Sequence, residues 1–464
     1  MGQYREVSHP SPRTVAARPD PDAPGAADSD AAAAAGRAPG AGGLSTTEPV
    51  TDGRDLEAPA TPTQRSSLLM SAFNPSREFM SWIYQINGRL DVEALARAVD
   101  DVVSRHDMLR LRFVNRDRGP VQVVTPFRPG VLNVVSLDDR PKLEALTTAV
   151  RAVEIEYQDL SPWDDARLQA NLYLVAPKTN VLAVWVAEAA VDGDSGTLVA
   201  AEISRAYAAH AGRPAPDLPA PSGDSYLRYV LEHPVPETVL EQAARYWVEE
   251  VPAVAEAGTW PTVAGDRSVT RFFNVPGDEW ERLVESTPAL GTLPYVVVLS
   301  WLELALCEVA GAEHFVVTSA ASGRRLPVTR GMIGNFVGPV RLKAEVHPGD
   351  TLEDVSPRVM AGLRAAMTHG VVPTPLAEAE AAGVDRYAPP PPTIAFYLFA
   401  EREGLDLAGV RQRRFRVHTG NRDILRVNCT PDGEGGRNFF FISASAPPPL
   451  LDALVSRFRS VMGA

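Results

Sequence analysis

An unbroken apolar run from Val181 to Val186 constrains this chain more than any other feature. A strand without polar residues needs cover on both faces, so it demands a core large enough to enclose it. The run leads into a turn of small residues, Asp192-Gly193-Asp194-Ser195-Gly196, and then into an apolar-periodic helix. Leu198, Ile203 and Tyr207 mark the inner side of that helix, and Gly212 stops it. Two carboxylates, Glu188 and Asp192, stand between strand and helix among alanines and valine. Carboxylates beside an apolar strand cost free energy unless they are paired or put to use. This turn is therefore the first place to expect chemistry.

A chain of 464 residues can enclose such a core in one large or two medium domains. The net charge of -13 argues against nucleic acid or an anionic membrane surface as the main partner. Cys307 and Cys429 are too few for a disulfide framework or a zinc site, and no metal is expected. A reduced, cytoplasmic compartment fits, and the N-terminus lacks the apolar core of a signal peptide. Leu293 to Ala310 approaches the length of a membrane span, but Glu303 and Glu308 interrupt it, so it reads as a buried helix. Asn428-Cys429-Thr430 matches a glycosylation sequon and carries no weight without an export signal.

Residues 1–58 are rich in Ala, Pro, Gly, Asp and Ser and cannot bury enough surface to offset their ordering entropy, so they read as a disordered tail. Residues 59–222 read as an N-terminal lobe. Within it Phe79 to Gly88 is strand-like, and Asp91 caps a helix whose buried stripe is Leu95, Val99, Val102 and Val103. His106, at the end of that helix, reads as structural. Short strands at Val121–Val124 and Val131–Val135, a helix at Leu143–Tyr157 and a strand at Leu168–Val175 lead to the organising run. After a Pro-rich bridge, residues 223–464 read as a C-terminal lobe. Its strands are expected at Arg271–Val275, His314–Ser319, Thr393–Phe399, Ile424–Cys429 and Asn438–Ser443, with a long buried helix from Leu293 and a closing helix from Pro449. Ala388–Pro392 reads as a stiff proline loop.

Several of these segments, in order, resemble the condensation domains of nonribosomal peptide synthetases, within the chloramphenicol-acetyltransferase-like superfamily. TPTQR at Thr61 resembles the opening motif, and INGRLDVEALARAVDDVVSRHDMLRLRF the second. EAAVDGDSG stands where the family has its HHxxxDG motif; RYWVEEV, TSAASGRR and IGNFVGPVRLK resemble later ones. The resemblance implies an α/β chain of mixed sheets, built as two similar lobes in a V-shaped pseudo-dimer around a central tunnel. It implies no intrinsic cofactor: the acyl substrate would arrive on the phosphopantetheine of an acyl or peptidyl carrier protein and pass to an amine or alcohol acceptor.

The departure from that motif falls on Ala187 and Glu188, which occupy the positions of the two family histidines. Asp192 and Gly193 keep the Asp-Gly pair and, with Glu188, are the candidate catalytic residues, Asp192 reading either as a structural ion-pair partner or as a group that transfers a proton directly. The resemblance implies that Asp192 pairs with Arg324 or Arg325 of the second lobe, and it places Ser195, Asn335 and Gly338 along the tunnel. Gly338 stands where many members have asparagine. A glutamate in apolar surroundings can serve as a general base, because burial raises its pKa toward neutrality. Gly193 could offer its N–H to an oxyanion, while Ser195 and Thr197 suit helix capping better than nucleophilic attack. The basic run Arg411-Gln412-Arg413-Arg414-Phe415-Arg416 reads as a solvated strand face or as a dock for an acidic carrier protein. The readings to be separated are an acyltransferase using Glu188, a non-catalytic module that binds carrier-bound intermediates or recruits a partner enzyme, and an intramolecular cyclase in the same tunnel.

Overall fold

The computed structural model describes residues 56–464 apart from 73–77, 138, 218–221, 223, 250, 252–259, 262–267, 382–392, 401–403, 416–423, 444–445 and 464. Residues 1–55 of the expected tail, the proline run at 388–392 and Arg416 of the basic run lie outside the described residues.

Strand β1 (Leu56–Pro59) shows that the last residues assigned to the tail are ordered: β1 pairs antiparallel with a strand more than sixty residues downstream, Leu56 opposite Val124. Helix α1 (Pro62–Ser71) follows, its first turn closed by a reciprocal capping box. The Gln64 N–H donates to the Thr61 hydroxyl at 3.3 Å, and the Thr61 N–H donates to Gln64 Oε1 at 2.9 Å. After β2 (Phe79–Asn87) comes α2 (Val92–Arg105), where Asp91 accepts from the Ala94 N–H at 2.9 Å and the expected stripe is buried. Then follow β3 (Leu111–Arg116), β4 (Gly119–Val124), β5 (Leu132–Ser136), α3 (Lys142–Gln158), β6 (Gln169–Ala176), β7 (Thr179–Ala187) and α4 (Gly193–His210). β7 is buried at every residue, as its composition demands.

The second half contributes α5 (Tyr226–Glu232), α6 (Glu237–Glu249), β8 (Val269–Val275), α7 (Gly277–Ser286), α8 (Pro288–Thr292), α9 (Pro294–Ala310), β9 (His314–Ser322), β10 (Val337–Glu345), α10 (Leu352–His369) and α11 (Thr374–Ala381). It ends with β11 (Ile394–Leu398), β12 (Arg411–Phe415), β13 (Leu425–Pro431), β14 (Arg437–Ser443) and α12 (Pro448–Met462). α9 is the buried helix the sequence predicts, and Gly311 ends it in the left-handed region at φ 67°. Among the described residues no helix is long and apolar enough to cross a membrane.

Two sheets organise the lobes. The first runs β12-β2-β7-β6-β5 and the second β10-β9-β11-β13-β14-β8, each mixing parallel and antiparallel pairs. Two apolar cores match them, one around Val181–Ala187 and α2, the other around α9, β11 and Phe439. The expected boundary at 222 is crossed repeatedly. β12 leaves the second half and pairs with β2, Arg414 opposite Tyr84, and Tyr226, Leu227, Met332, Ile333, Phe336, Leu405 and Leu407 are buried in the first core. Residues 411–415 of the basic run thus form an edge strand of the first sheet, with Arg411, Arg413 and Arg414 exposed. Local periodicity cannot reveal such an exchange, because a strand's pattern reports its burial and not its neighbours.

α2 and α4 are joined by a buried ion cluster in which Glu202, its side chain 8% exposed, bonds both Arg105 and His106 Nε2. His106 is thereby structural, as expected from its place at the helix end. Burial opposes the Glu202 charge, but His106 and Arg105 outweigh it and hold the carboxyl below its usual range. A carboxylate with a depressed native pKa contributes stability above its unfolded value of about 4.3, and that contribution is lost as pH falls through the native value. Glu202→Gln is expected to lower the melting temperature near neutrality and to weaken the acid-side fall in stability. Thermal melts between about pH 3 and about pH 7 read both.

Candidate active site

The turn between β7 and α4 is held by one carboxylate. Asp192 is the N-cap of α4, and its Oδ1 accepts from the Ser195 N–H at 2.8 Å. Arg324, from the loop after β9, donates through Nε to Oδ2 at 3.0 Å and through Nη2 to Oδ1 at 2.7 Å, a bidentate fork. The two side chains are 1% and 6% exposed. Nη1 of the same guanidinium donates to the carbonyls of Met332, at 2.9 Å, and Thr329, and the Phe336 ring lies 4.3 Å from its carbon. Of the two arginines expected from sequence, Arg324 forms the pair. Arg325 is exposed and donates instead to the Met367 carbonyl.

Segment 334–336 completes the joint. Asp192 N–H donates to the Gly334 carbonyl at 3.1 Å, and Phe336 N–H donates to Asp192 Oδ2 at 3.2 Å. The Ser195 hydroxyl accepts from the Gly334 N–H at 3.0 Å and from Arg324 Nη2 at 2.7 Å, and it directs its own proton to Asp192 Oδ1 or the Gly334 carbonyl. Ser195 is fully buried in this joint and does not line a tunnel. Gly193 opens α4. Gly338, expected beside the tunnel, is also closed off: a Cβ there would lie 2.7 Å from Pro373 and 3.2 Å from Thr63. The missing side chain at 338 makes room for packing, not for substrate.

Gly334 is required by Tyr226. A Cβ at 334 would stand 2.1 Å from the Tyr226 ring, which packs edge-on against Phe336 at 5.0 Å and donates from its hydroxyl to the Asn335 carbonyl at 2.7 Å. Overpacking of this kind typically costs about 1–3 kcal/mol. Gly334→Ala is expected to destabilise by that amount in denaturant melts, with Tyr226→Ala in the same chain recovering part of the loss. Sequence reasoning did not find Tyr226 or Phe336. Their only signal is position, at the end of a Pro-rich bridge and inside the IGNF segment.

Glu188 follows directly on β7. Its N–H donates to the Glu78 carbonyl at 2.7 Å, one step beyond the pairing of Ala187 with Phe79, and its carbonyl accepts from Asn335 Nδ2. Its side chain is open to solvent, while desolvation pushes the carboxyl up to about 7, opposed by the Arg426 charge on β13 of the other lobe. The residue keeps contact with water, while protein atoms crowd its carboxyl enough for desolvation to outweigh the Arg426 charge. Above about pH 7 Glu188 is an anion able to take a proton; below it, an acid able to give one. A cleft of 360 Å³ opens beside the joint, lined by Asp194, Thr197, Leu198, Ser322, Arg324 and Arg330. Among the described residues no group of three or more metal-ligating side chains occurs.

Two mixed-sheet lobes clasped by a buried carboxylate–guanidinium pair at the head of α4 define the chloramphenicol-acetyltransferase-like architecture. The chain belongs to the condensation-domain family, whose model, described as Condensation domain, matches residues 55–379. It is 28% identical over 320 residues to the phosphinothricin tripeptide synthetase PhsB of Streptomyces viridochromogenes, covering 67% of this chain and 27% of that protein. It is 26% identical over 307 residues to chondramide synthase of Chondromyces crocatus, covering 63% of this chain and 8% of that protein. The chain therefore spans only a small part of the length of such relatives. Among solved structures it is similar to a complex of the X-domain and OxyB from teicoplanin biosynthesis, with TM-score 0.70, 20% identity, and 91% and 96% of the two chains covered. It is also similar to the first condensation domain of the CDA synthetase, with TM-score 0.63, 19% identity, and 88% and 95% covered.

Proposed function

We propose that this chain is a condensation-type acyltransferase of natural-product biosynthesis in which Glu188 does the work of the family histidine. The observation that carries the reading is the placement of Glu188. It directly follows the buried strand β7, its side chain is exposed, and burial raises its carboxyl to about 7 against the Arg426 charge. The acyl group arrives as a thioester on a carrier-protein phosphopantetheine. Glu188 accepts the proton of the amine or hydroxyl acceptor as that nucleophile attacks the thioester carbon. The C–S bond then breaks, the amide or ester forms, and the thiolate leaves with a proton. Holding the partners together supplies much of the barrier reduction. Asp192 and Arg324 keep the turn in shape without touching the reacting atoms.

A second reading, recruitment of a partner enzyme to a carrier-bound intermediate, is favoured by the absence of both histidines. Intact-protein mass spectrometry of acylated carrier proteins separates the two. Incubation with this chain and an acceptor is expected to remove the acyl group, and Glu188→Gln to leave it in place. Retention of the acyl group with the wild-type chain across carriers and acceptors selects recruitment.

A further inference from the structure

Residue 188 is held on both sides of its backbone. Its N–H donates to the Glu78 carbonyl at 2.7 Å, which extends the β2–β7 ladder by one step. Its carbonyl faces a turn whose own donors are engaged elsewhere. The Ala187 carbonyl takes the Ala190 N–H at 2.8 Å and the Val191 N–H at 3.2 Å, and the Asp192 N–H goes to Gly334. The Glu188 carbonyl is met instead by Asn335 Nδ2, from a residue 147 positions along the chain. A residue has two soft backbone dihedrals, so fixing the peptide planes on both sides of Glu188 fixes the direction in which its side chain leaves.

Asn335 is itself anchored. Its own carbonyl accepts from the Tyr226 hydroxyl at 2.7 Å and from the Thr63 hydroxyl at 3.3 Å. The residues on either side of it are tied to the head of α4, Gly334 to Ser195 and Phe336 to Asp192. The other half of its amide gains nothing. Asn335 is 4% exposed, and its Oδ1 is buried without a hydrogen-bond partner. A buried acceptor left unmet is disfavoured, and an apolar side chain of similar size would avoid that cost. What the amide supplies at this position is a donor for the Glu188 carbonyl.

We infer that Asn335 is a positioning residue, which fixes the backbone of Glu188 and thereby aims its carboxyl. Its consequence for rate rests on the acyltransfer reading, and Asn335 touches none of the reacting atoms. The charged groups around Glu188 cannot replace the tie. Arg426 on β13 acts on the carboxyl by its charge, Glu78 accepts from the Ser67 hydroxyl at 2.9 Å, and Asp192 is closed in the Arg324 fork. Without Asn335 the peptide after Glu188 is free to turn. The carboxyl then leaves the protein atoms that crowd it for bulk water, which favours its ionised form.

The ionisation of Glu188 is read by NMR on the full chain with isotope-labelled glutamate carboxyls, its signal identified by its loss in Glu188→Gln. Two variants remove the donor: Asn335→Leu keeps the volume, and Asn335→Ala cannot overpack, so a folding failure of one leaves the other. Each is expected to lower the Glu188 midpoint from about 7 by about one pH unit or more. Turnover is expected to fall about ten-fold or more with KM little changed, the mark of a displaced reacting group. The rise of rate with pH should move to lower pH with the midpoint. A midpoint that neither variant moves overturns the inference, whatever happens to the melting temperature, because a merely structural tie changes stability alone. Carrier mass spectrometry reports separately on acyl transfer. A wild-type chain that consumes no acyl group ends the base reading, and a lowered midpoint in the variants then still upholds the positioning of Glu188 by Asn335.

Discussion

Asp192→Ala is expected to lower the unfolding free energy by about 3–5 kcal/mol, the usual cost of removing one partner from a buried ion pair. The loss has several sources in one side chain. Asp192 caps α4, receives both arms of the Arg324 fork and accepts from the Phe336 N–H. Its removal leaves a guanidinium 6% exposed without its counter-charge. For a chain of this size the melting temperature should fall by about 3–6 °C. Arg324→Lys is expected to recover little, since an ammonium cannot reproduce a bidentate fork that also reaches two carbonyls. The double variant Asp192→Ala, Arg324→Ala should lose less than the sum of the singles, because no charge is then stranded. A single Asp192→Ala chain with wild-type melting and no turnover would instead move Asp192 into the chemistry.

Glu188→Gln is expected to behave in the opposite way. Turnover should fall about 10²–10⁴-fold, the usual contribution of a positioned general base, with little change in substrate binding. The wild-type rate should rise with pH through about 7, where Glu188 becomes an anion, and the glutamine variant should show a flattened profile. Stability moves the other way from Asp192. A carboxyl whose native pKa is raised above its unfolded value loses native stability as pH climbs between the two values. Removing that group is therefore expected to hold or raise the melting temperature above neutrality. A Glu188→Gln chain with undiminished turnover ends its role as base.

Much of this molecule was legible in its sequence where the signal is local. The wholly apolar β7 could only be an enclosed strand, and Asp91 and Thr61 announce their helices by capping chemistry. Two carboxylates just after that strand marked the site, because a charge beside an apolar run needs a reason. The motif resemblance supplied the architecture and reduced the partner of Asp192 to two neighbouring arginines. Periodicity could not choose between them, since both sit in a loop. Burial chose: Arg324 reaches inward through three donor groups, and Arg325 faces solvent.

Only the tertiary structure decided what depends on neighbours distant in sequence. Leu56–Pro59 joined the fold because β4 offered a free edge, and β12 crossed into the first sheet because β2 did. Gly338 turned out to be filled by Pro373, and Ser195 to be consumed by the joint at Gly334. Propensity, capping and apolar pattern act within a few residues, so the sequence by itself determined the elements and the charged turn. Which side chains share a face or lose contact with water is set by pairings across the whole chain, and those decided the site.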